Sequence, residues 1–204
     1  FSPVVDGAAI PKNPFDPEAP EISREIPMIV GYTREDSGIR DLSGPELTEE
    51  GLNKWVQETY KENATLIFDT YRNVYPNASP VQIQSRIRTD TNTRKRATAM
   101  VERKSVQKGG NAYLYLMEWP SPAYEGRFGA VHGVDLGLVL GNPRNLIAGN
   151  TTDARKMADI VGSAIIAFGR TGNPDCDKIP HWPPYNKESR STMIFNTECR
   201  VEND

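Results

Sequence analysis

The hydrophobic positions along the chain fall into short apolar runs and longer segments with helical spacing. Residues 27–31 (PMIVG) form a short apolar run that ends at glycine, as a strand buried in a mainly parallel sheet does. Residues 111–119 (NAYLYLMEW) are rich in aromatic side chains and alternate in part, which also predicts a strand. A third, shorter strand is predicted over residues 191–195 (STMIF).

Helices are predicted in the segments between these strands. Residues 48–75 repeat apolar side chains at helical spacing, which indicates one or two helices. A long polar helical segment is predicted over residues 79–108, because a Ser-Pro pair opens it and two glycines follow it. Residues 151–170 carry an apolar stripe, which predicts an amphipathic helix ended by Gly172.

The other segments predict connections. The first 27 residues contain six prolines and predict an extended segment that wraps a surface. Charged residues 32–41 predict a loop after the first strand, and residues 120–132 predict another loop after the second. The order strand, helices, strand, loop, helix and strand is typical of an α/β fold. In open α/β sheets, the loops at the carboxyl ends of the strands build the functional site.

Composition and charge exclude several function classes. With 37% hydrophobic and 25% charged residues, the 204-residue chain resembles a globular protein rather than a disordered one. Its net charge of -3 gives no basic excess for neutralising phosphates, so we do not expect nucleic acid as a partner. The longest apolar run, residues 164–168, is far shorter than the roughly 20 residues that span a bilayer, so no membrane span is expected.

The cysteines and the possible glycosylation sites leave the cellular compartment open. Cys176 and Cys199 are the only cysteines, which excludes a disulfide-rich scaffold and a cysteine-based zinc site. They could pair in a secreted protein or stay as free thiols. Asn63, Asn77 and Asn150 each begin a glycosylation triplet, a pattern that also arises by chance. The chain begins with neither Met nor a signal peptide, and we expect it to start within a longer protein.

Only two histidines are available as general bases. Histidine is the usual base because its unperturbed pKa lies near neutral pH. His181 lies in a proline-rich turn (IPHWPP), which is typical of a structural role. His132 lies in a glycine-flanked loop after the strand of residues 111–119, a place that suits a catalytic and a structural role equally.

A partner carboxylate for the histidine is expected in the loop after the first strand, within residues 31–37 (GYTREDS). Such a carboxylate would hold the imidazole in the correct tautomer and stabilise the imidazolium, although the same residues also fit a solvated acidic loop. The sequence contains no Gly-x-Ser-x-Gly and no HGGG-like oxyanion loop, which a serine hydrolase of this type needs. Either another segment carries those groups or the chain does not perform this chemistry.

Six short motifs, in matching order, resemble those of the type B carboxylesterases, the cholinesterase-like family of α/β hydrolases. Together they extend over essentially the whole chain. They are residues 1–7 (like FxPVVDG), 27–37 (like a strand followed by GxxxxEG), 130–136 (like HGxEL), 168–174 (like FxxxGxPN), 181–185 (like WPxY) and 192–204 (like MxF followed by VxND).

The resemblance implies that residues 1–204 are the C-terminal segment of a single α/β-hydrolase domain, incomplete without an N-terminal part. In this family the catalytic serine, the acid and the histidine follow one another along the chain. His132 then takes the histidine role. Counting along GxxxxEG makes Asp36 the acid, where the family usually has Glu, with Glu35 as the less favoured alternative. Asp135, three residues after the histidine, is expected to support it from outside the triad.

The implied activity is hydrolysis of a carboxylic ester without a cofactor or a metal. A serine on an N-terminal fragment of the same protein would attack the ester while His132 takes its proton. The expected partners are therefore that fragment and a small-molecule ester, and without the fragment we expect the chain to be insoluble or inactive. One alternative is a non-catalytic adhesion or scaffolding domain of the same fold. The other is an independent small domain, which would leave a large apolar face bare.

Overall fold

The computed structural model describes residues 3–37 and 46–203, and these contain a four-stranded sheet. The strands are β1 (Met28–Thr33), β2 (Ala112–Met117), β3 (Ser191–Phe195) and β4 (Arg200–Asn203). They lie side by side in this order, with β1, β2 and β3 parallel and β4 antiparallel to β3. The three predicted strands and the α/β architecture are thus confirmed.

Six α-helices lie in the described ranges. They are α1 (Glu49–Tyr60), α2 (Ala64–Val74), α3 (Pro80–Thr89), α4 (Lys95–Ser105), α5 (Val134–Val139) and α6 (Thr152–Thr171). Thr48, Ser79 and Thr151 cap α1, α3 and α6 by accepting a hydrogen bond from a backbone amide of the first turn. Gly172 ends α6 in the left-handed conformation, as its sequence predicts.

Helices cover both faces of the sheet, and alternate side chains of β2 point into two different cores. Tyr113 and Met117 belong to the larger core, to which α6 contributes Met157 and Val161. Leu114 lies on the other face in a second core, together with Val101 of α4. The helices α1, α2 and α3 form a third apolar cluster of their own. A strand that is buried on both faces is apolar at nearly every position. The position of β2 can therefore be recognised in the sequence.

The structure corrects three of the predicted segments. Tyr32 and Thr33 continue β1 rather than starting the charged loop, because they pair with Leu116 and Met117 of β2. The predicted helical segment 79–108 is divided by a π-helical turn over Asp90–Arg94. The predicted loop 120–132 contains a short 3-10 segment at Ala123–Gly126. Residues 38–41 of the predicted charged loop, and positions 1, 2 and 204 of the terminal motifs, lie outside the described residues.

Two elements have no counterpart among the predictions. The short helix α5 begins two residues after His132, and β4 is an edge strand whose side chains are mostly exposed. An exposed edge strand is held by backbone pairing and needs no apolar pattern. Cys176 and Cys199 are both free thiols and half-buried. Within the described ranges, none of the helices has the length and apolar character needed to cross a bilayer.

Candidate active site

The loop after β1, which carries Glu35 and Asp36 (the acid loop), meets the loop after β2, which carries His132 (the histidine loop), beyond the carboxyl ends of the two strands. Thr33 and Met117 are the last residues of these strands, and they are partners in the parallel register. Farther along, Glu35 and Val131 form an isolated parallel bridge, and the Glu35 amide donates to the carbonyl of Ala130 at 3.0 Å. The pairing of the strands therefore continues into the loops and holds them side by side.

His132 and Asp36 form a hydrogen-bonded pair at this meeting point. His132 Nδ1 lies 2.8 Å from Asp36 Oδ1, although the two residues are 96 positions apart in sequence. The Asp36 side chain is 12% exposed, whereas the imidazole is 64% exposed. A carboxylate that engages Nδ1 in this way directs proton transfer to Nε2. The arrangement suits a general base whose open side receives a reacting group.

The second carboxylate oxygen of Asp36 is hydrogen-bonded to a residue of the turn between α3 and α4. Thr93, in the π-helical turn, donates its hydroxyl to Asp36 Oδ2 at 2.7 Å, and Thr33 Oγ1 lies 3.4 Å from Oδ1. Sequence reasoning missed Thr93, because 57 residues separate it from the acid. The available signal was the run Thr91-Asn92-Thr93, since such residues compete for backbone hydrogen bonds inside a helix.

Glu35, the alternative acid, lies next to Asp36 but is engaged elsewhere. Its carboxylate is 1% exposed, pairs through Oε1 with Arg86 Nε at 2.5 Å, and accepts through Oε2 from the amide of Ala130 at 2.6 Å. Both oxygens are therefore occupied, one by α3 and one by the histidine loop. The geometry brings Asp36, rather than Glu35, to the imidazole.

Asp135 contacts β2 rather than the imidazole. It lies in the first turn of α5, and its Oδ2 accepts from the hydroxyl of Tyr115 at 2.8 Å. Burial and the neighbouring Asp135 carboxylate raise the pKa of Tyr115, so its hydroxyl stays protonated and can donate. Gly31 of β1 makes room for the Tyr115 ring, because a Cβ at position 31 would lie 2.0 Å from it. This contact ties the helix that follows His132 to the sheet.

His181, the other histidine, belongs to a separate turn. Its Nδ1 lies 2.7 Å from Asp175 Oδ2, while Asp175 Oδ1 accepts from the backbone amide of Trp182 at 2.7 Å. Trp182 is fully buried in the larger core. Asp175 thus fastens the proline-rich turn, which agrees with the structural role expected for His181.

The chain is similar to carboxylesterases over its whole length. A family model described as "Carboxylesterase family" matches residues 1–204. Para-nitrobenzyl esterase of Bacillus subtilis (strain 168) is 26% identical over 215 residues, which cover 100% of this chain and 41% of that protein. Bile salt-activated lipase of Bos taurus is 25% identical over 220 residues, which cover 97% of this chain and 36% of that protein.

Solved structures show the same architecture. A PNB esterase superposes with a TM-score of 0.70 at 25% identity, covering 100% of this chain and 41% of the other. A carboxylesterase of Geobacillus stearothermophilus superposes with a TM-score of 0.74 at 23% identity, covering 100% of this chain and 43% of the other. This chain therefore spans less than half the length of these proteins. It belongs to the carboxylesterase family and has part of the α/β-hydrolase fold of that family.

Proposed function

We propose that the protein to which this chain belongs hydrolyses carboxylic esters, with His132 as general base and Asp36 as the acid of a Ser-Asp-His triad. The observation that carries this proposal is the 2.8 Å contact between His132 Nδ1 and Asp36 Oδ1 at the ends of two neighbouring parallel strands. Residues 1–204 would be the C-terminal segment of one α/β-hydrolase domain. Because the sequence has no Gly-x-Ser-x-Gly, the serine belongs to an N-terminal segment of the same protein.

The proposed reaction is acyl transfer in two steps. The serine hydroxyl attacks the ester carbonyl carbon while His132 Nε2 takes its proton, and Asp36 stabilises the imidazolium that forms. Backbone N–H groups of the N-terminal segment stabilise the oxyanion. His132 then protonates the leaving alcohol, so that an acyl-enzyme is left. Water attacks this acyl group in the second step while His132 takes its proton, and His132 then returns that proton to the serine oxygen as the carboxylic acid is released.

The use of Asp where the family usually has Glu fits the local geometry. Asp36 is one methylene shorter, so the acid loop must lie closer to the histidine. The bridge between Glu35 and Val131 holds the two loops side by side next to Asp36 and His132, and in this arrangement the Asp36 side chain reaches His132 at 2.8 Å.

A small-molecule ester is the proposed substrate class. The similar proteins include a para-nitrobenzyl esterase, a phenmedipham hydrolase and a bile salt-activated lipase, whose names cover chemically different substrates. Short p-nitrophenyl esters are therefore a suitable first probe, because they make few demands on the pocket and release a coloured product.

The proposal is tested by comparing variants of the complete protein, which includes the serine-bearing segment. With p-nitrophenyl acetate and butyrate, His132→Ala and Asp36→Asn are each expected to lower kcat by about 10³- to 10⁴-fold. Glu35→Gln, assayed well below its unfolding temperature, is expected to stay within about tenfold of the unmutated protein, because Glu35 acts on folding rather than on the imidazole.

Two outcomes would contradict this proposal. If Glu35→Gln loses activity while Asp36→Asn keeps it, the acid is Glu35. If the unmutated protein hydrolyses none of a range of esters, the adhesion or scaffolding function replaces the esterase proposal.

A further inference from the structure

The helical layer formed by α3 and α4 is interrupted where it passes Asp36. Residues Asp90–Arg94 form a π-helical turn between α3 and α4, and the hydroxyl of Thr91 bonds back to the carbonyl of Ile87 at 2.9 Å. A π turn inserts one residue into an α-helix, and such turns occur frequently at functional sites. Here the turn presents Thr93 to Asp36.

The hydrogen bond from Thr93 is of the strong kind. An ionised carboxylate can only accept, so the Thr93 hydroxyl must donate to Asp36 Oδ2, at 2.7 Å. Hydrogen bonds to a charged group are shorter and stronger than neutral ones, and Asp36 is largely removed from water. Deletion of this donor would leave one oxygen of a buried carboxylate without its hydroxyl partner.

Asp36 needs a partner on this oxygen if it is to hold the imidazole. The terminal torsion of an Asp side chain is broad, so one hydrogen bond to Oδ1 does not fix the plane of the carboxylate. Oδ1 faces His132 and Thr33, and Oδ2 faces Thr93. Donors at both ends fix the plane and keep Oδ1 aligned with Nδ1.

The turn that carries Thr93 is itself anchored. Tyr71 of α2 donates its hydroxyl to Asp90, the first residue of the turn, at 2.5 Å. Burial and the Asp90 carboxylate raise the pKa of Tyr71, which keeps this donor protonated. Arg86, seven residues before Thr93, also faces the acid loop, where it binds Glu35. The helix α3 and the π-helical turn therefore bind the neighbouring residues Glu35 and Asp36, respectively.

We propose that Thr93 is a positioning residue for the esterase reaction, which holds the carboxylate of Asp36 in the plane that orients His132. This inference rests on the proposed function, since it assigns Thr93 a role through Asp36. It predicts that the hydroxyl of Thr93 affects the chemical step more than substrate binding.

The test uses the complete protein and p-nitrophenyl butyrate. Thr93→Val keeps the branched shape but removes the donor, and we expect kcat to fall by about 10- to 100-fold while KM changes less than about twofold. Thr93→Ser restores the hydroxyl and should recover most of kcat. In the Asp36→Asn background, Thr93→Val should add no further loss, because its effect passes through the acid.

Thr89→Val is the matched control for this experiment. Thr89 lies four residues before Thr93 in the same helical layer and is 1% exposed, and its hydroxyl has no hydrogen-bond partner among the described residues. Its replacement by Val should leave kcat unchanged. Should Thr93→Val fail to fold, Thr93→Ala removes the same donor and carries the same expectation.

The outcomes separate this inference from the proposed function. Full activity in Thr93→Val together with an inactive Asp36→Asn would overturn the role of Thr93 alone. The role would also fall if Thr93→Ser were as slow as Thr93→Val, or if KM rose while kcat held. Full activity in Asp36→Asn would overturn the triad itself.

Discussion

Single residues determine how closely the acid and histidine loops approach. Gly129 lies three positions before His132 with φ +70°, and a Cβ there would lie 2.5 Å from the Glu35 carboxylate. Ala at position 129 would carry the cost of the left-handed conformation and would also push the two loops apart. The absence of a side chain at this position is therefore part of how Asp36 reaches His132.

The role of Gly129 predicts a difference between two otherwise similar substitutions. Gly126 has φ +79°, but a Cβ there would meet only the Ser121 carbonyl, at 3.9 Å. Gly129→Ala and Gly126→Ala share the strain of a positive φ, so we expect Gly129→Ala to cost about 1–3 kcal/mol more, the cost of overpacking. It should also lower kcat. Thermal unfolding measures the loss of stability, and p-nitrophenyl ester kinetics measure the loss of kcat. If the two variants lost equal stability and equal kcat, the close approach of the loops at Gly129 would be shown not to matter for either.

At the scale of elements, the ion pair between Arg86 and Glu35 fastens α3 to the acid loop, and Glu35 in turn binds the histidine loop. The two side chains are 13% and 1% exposed, and Glu35 also accepts from Ala130. When one partner of a buried pair is removed, a charge stays behind in a poorly solvated place, which costs more than removing both partners. This contact is expected to support the fold, and through it the position of His132.

A double-mutant cycle tests this link. Arg86→Met should destabilise the complete protein by about 3–5 kcal/mol. Adding Glu35→Gln should recover part of that loss, because it removes the stranded charge. Lys54→Met breaks an exposed pair with Glu58 and is the control, with an expected effect below about 1 kcal/mol. Denaturant unfolding measures the free energy of unfolding of the unmutated protein, the two single variants, the double variant and the control. If Arg86→Met alone were as stable as the double variant, the stranded-charge argument would be contradicted.

The elements that were predictable are those whose packing leaves a pattern in the sequence. The strand β2 and the helix α6 are apolar where they face a core, so their positions follow from the spacing of apolar residues. The strand β4 has no such pattern, because its backbone pairing with β3 holds it in place. The run Thr91-Asn92-Thr93 is a local signal for an irregular helix, but the contact of Thr93 with Asp36 depends on how distant segments pack and leaves no local signal in the sequence.

The candidate site was predictable to a similar degree. Counting along the family motif identifies Asp36 and His132, the pair that the structure brings within 2.8 Å. The engagement of Glu35 by Arg86 and Ala130 is a long-range contact, so sequence reasoning left Glu35 as an alternative acid. The Asp36→Asn and Glu35→Gln variants test which of the two carboxylates is the catalytic acid.

At the scale of the whole molecule, the described chain leaves surfaces that another segment could cover. The strand β1 pairs with β2 on one side and is the edge of the sheet on the other. An exposed edge of this kind pairs readily with another strand. Large apolar side chains near α5 and α6 are also exposed, with Leu136 at 63%, Leu140 at 77% and Leu146 at 72%. We expect the proposed N-terminal segment to cover these surfaces as well as to supply the serine.

This expectation predicts complementation between two fragments. Expressed alone, the 204 residues should be insoluble or should show no p-nitrophenyl butyrate hydrolysis, because both the serine and the covering surface are missing. Co-expression with the N-terminal segment should restore solubility and activity. A segment whose Gly-x-Ser-x-Gly serine is replaced by Ala should restore solubility without activity, which separates the role in folding from the role in chemistry. If the 204 residues were soluble and hydrolysed the ester alone, the nucleophile would have to lie within this chain, and the triad proposed here would be wrong.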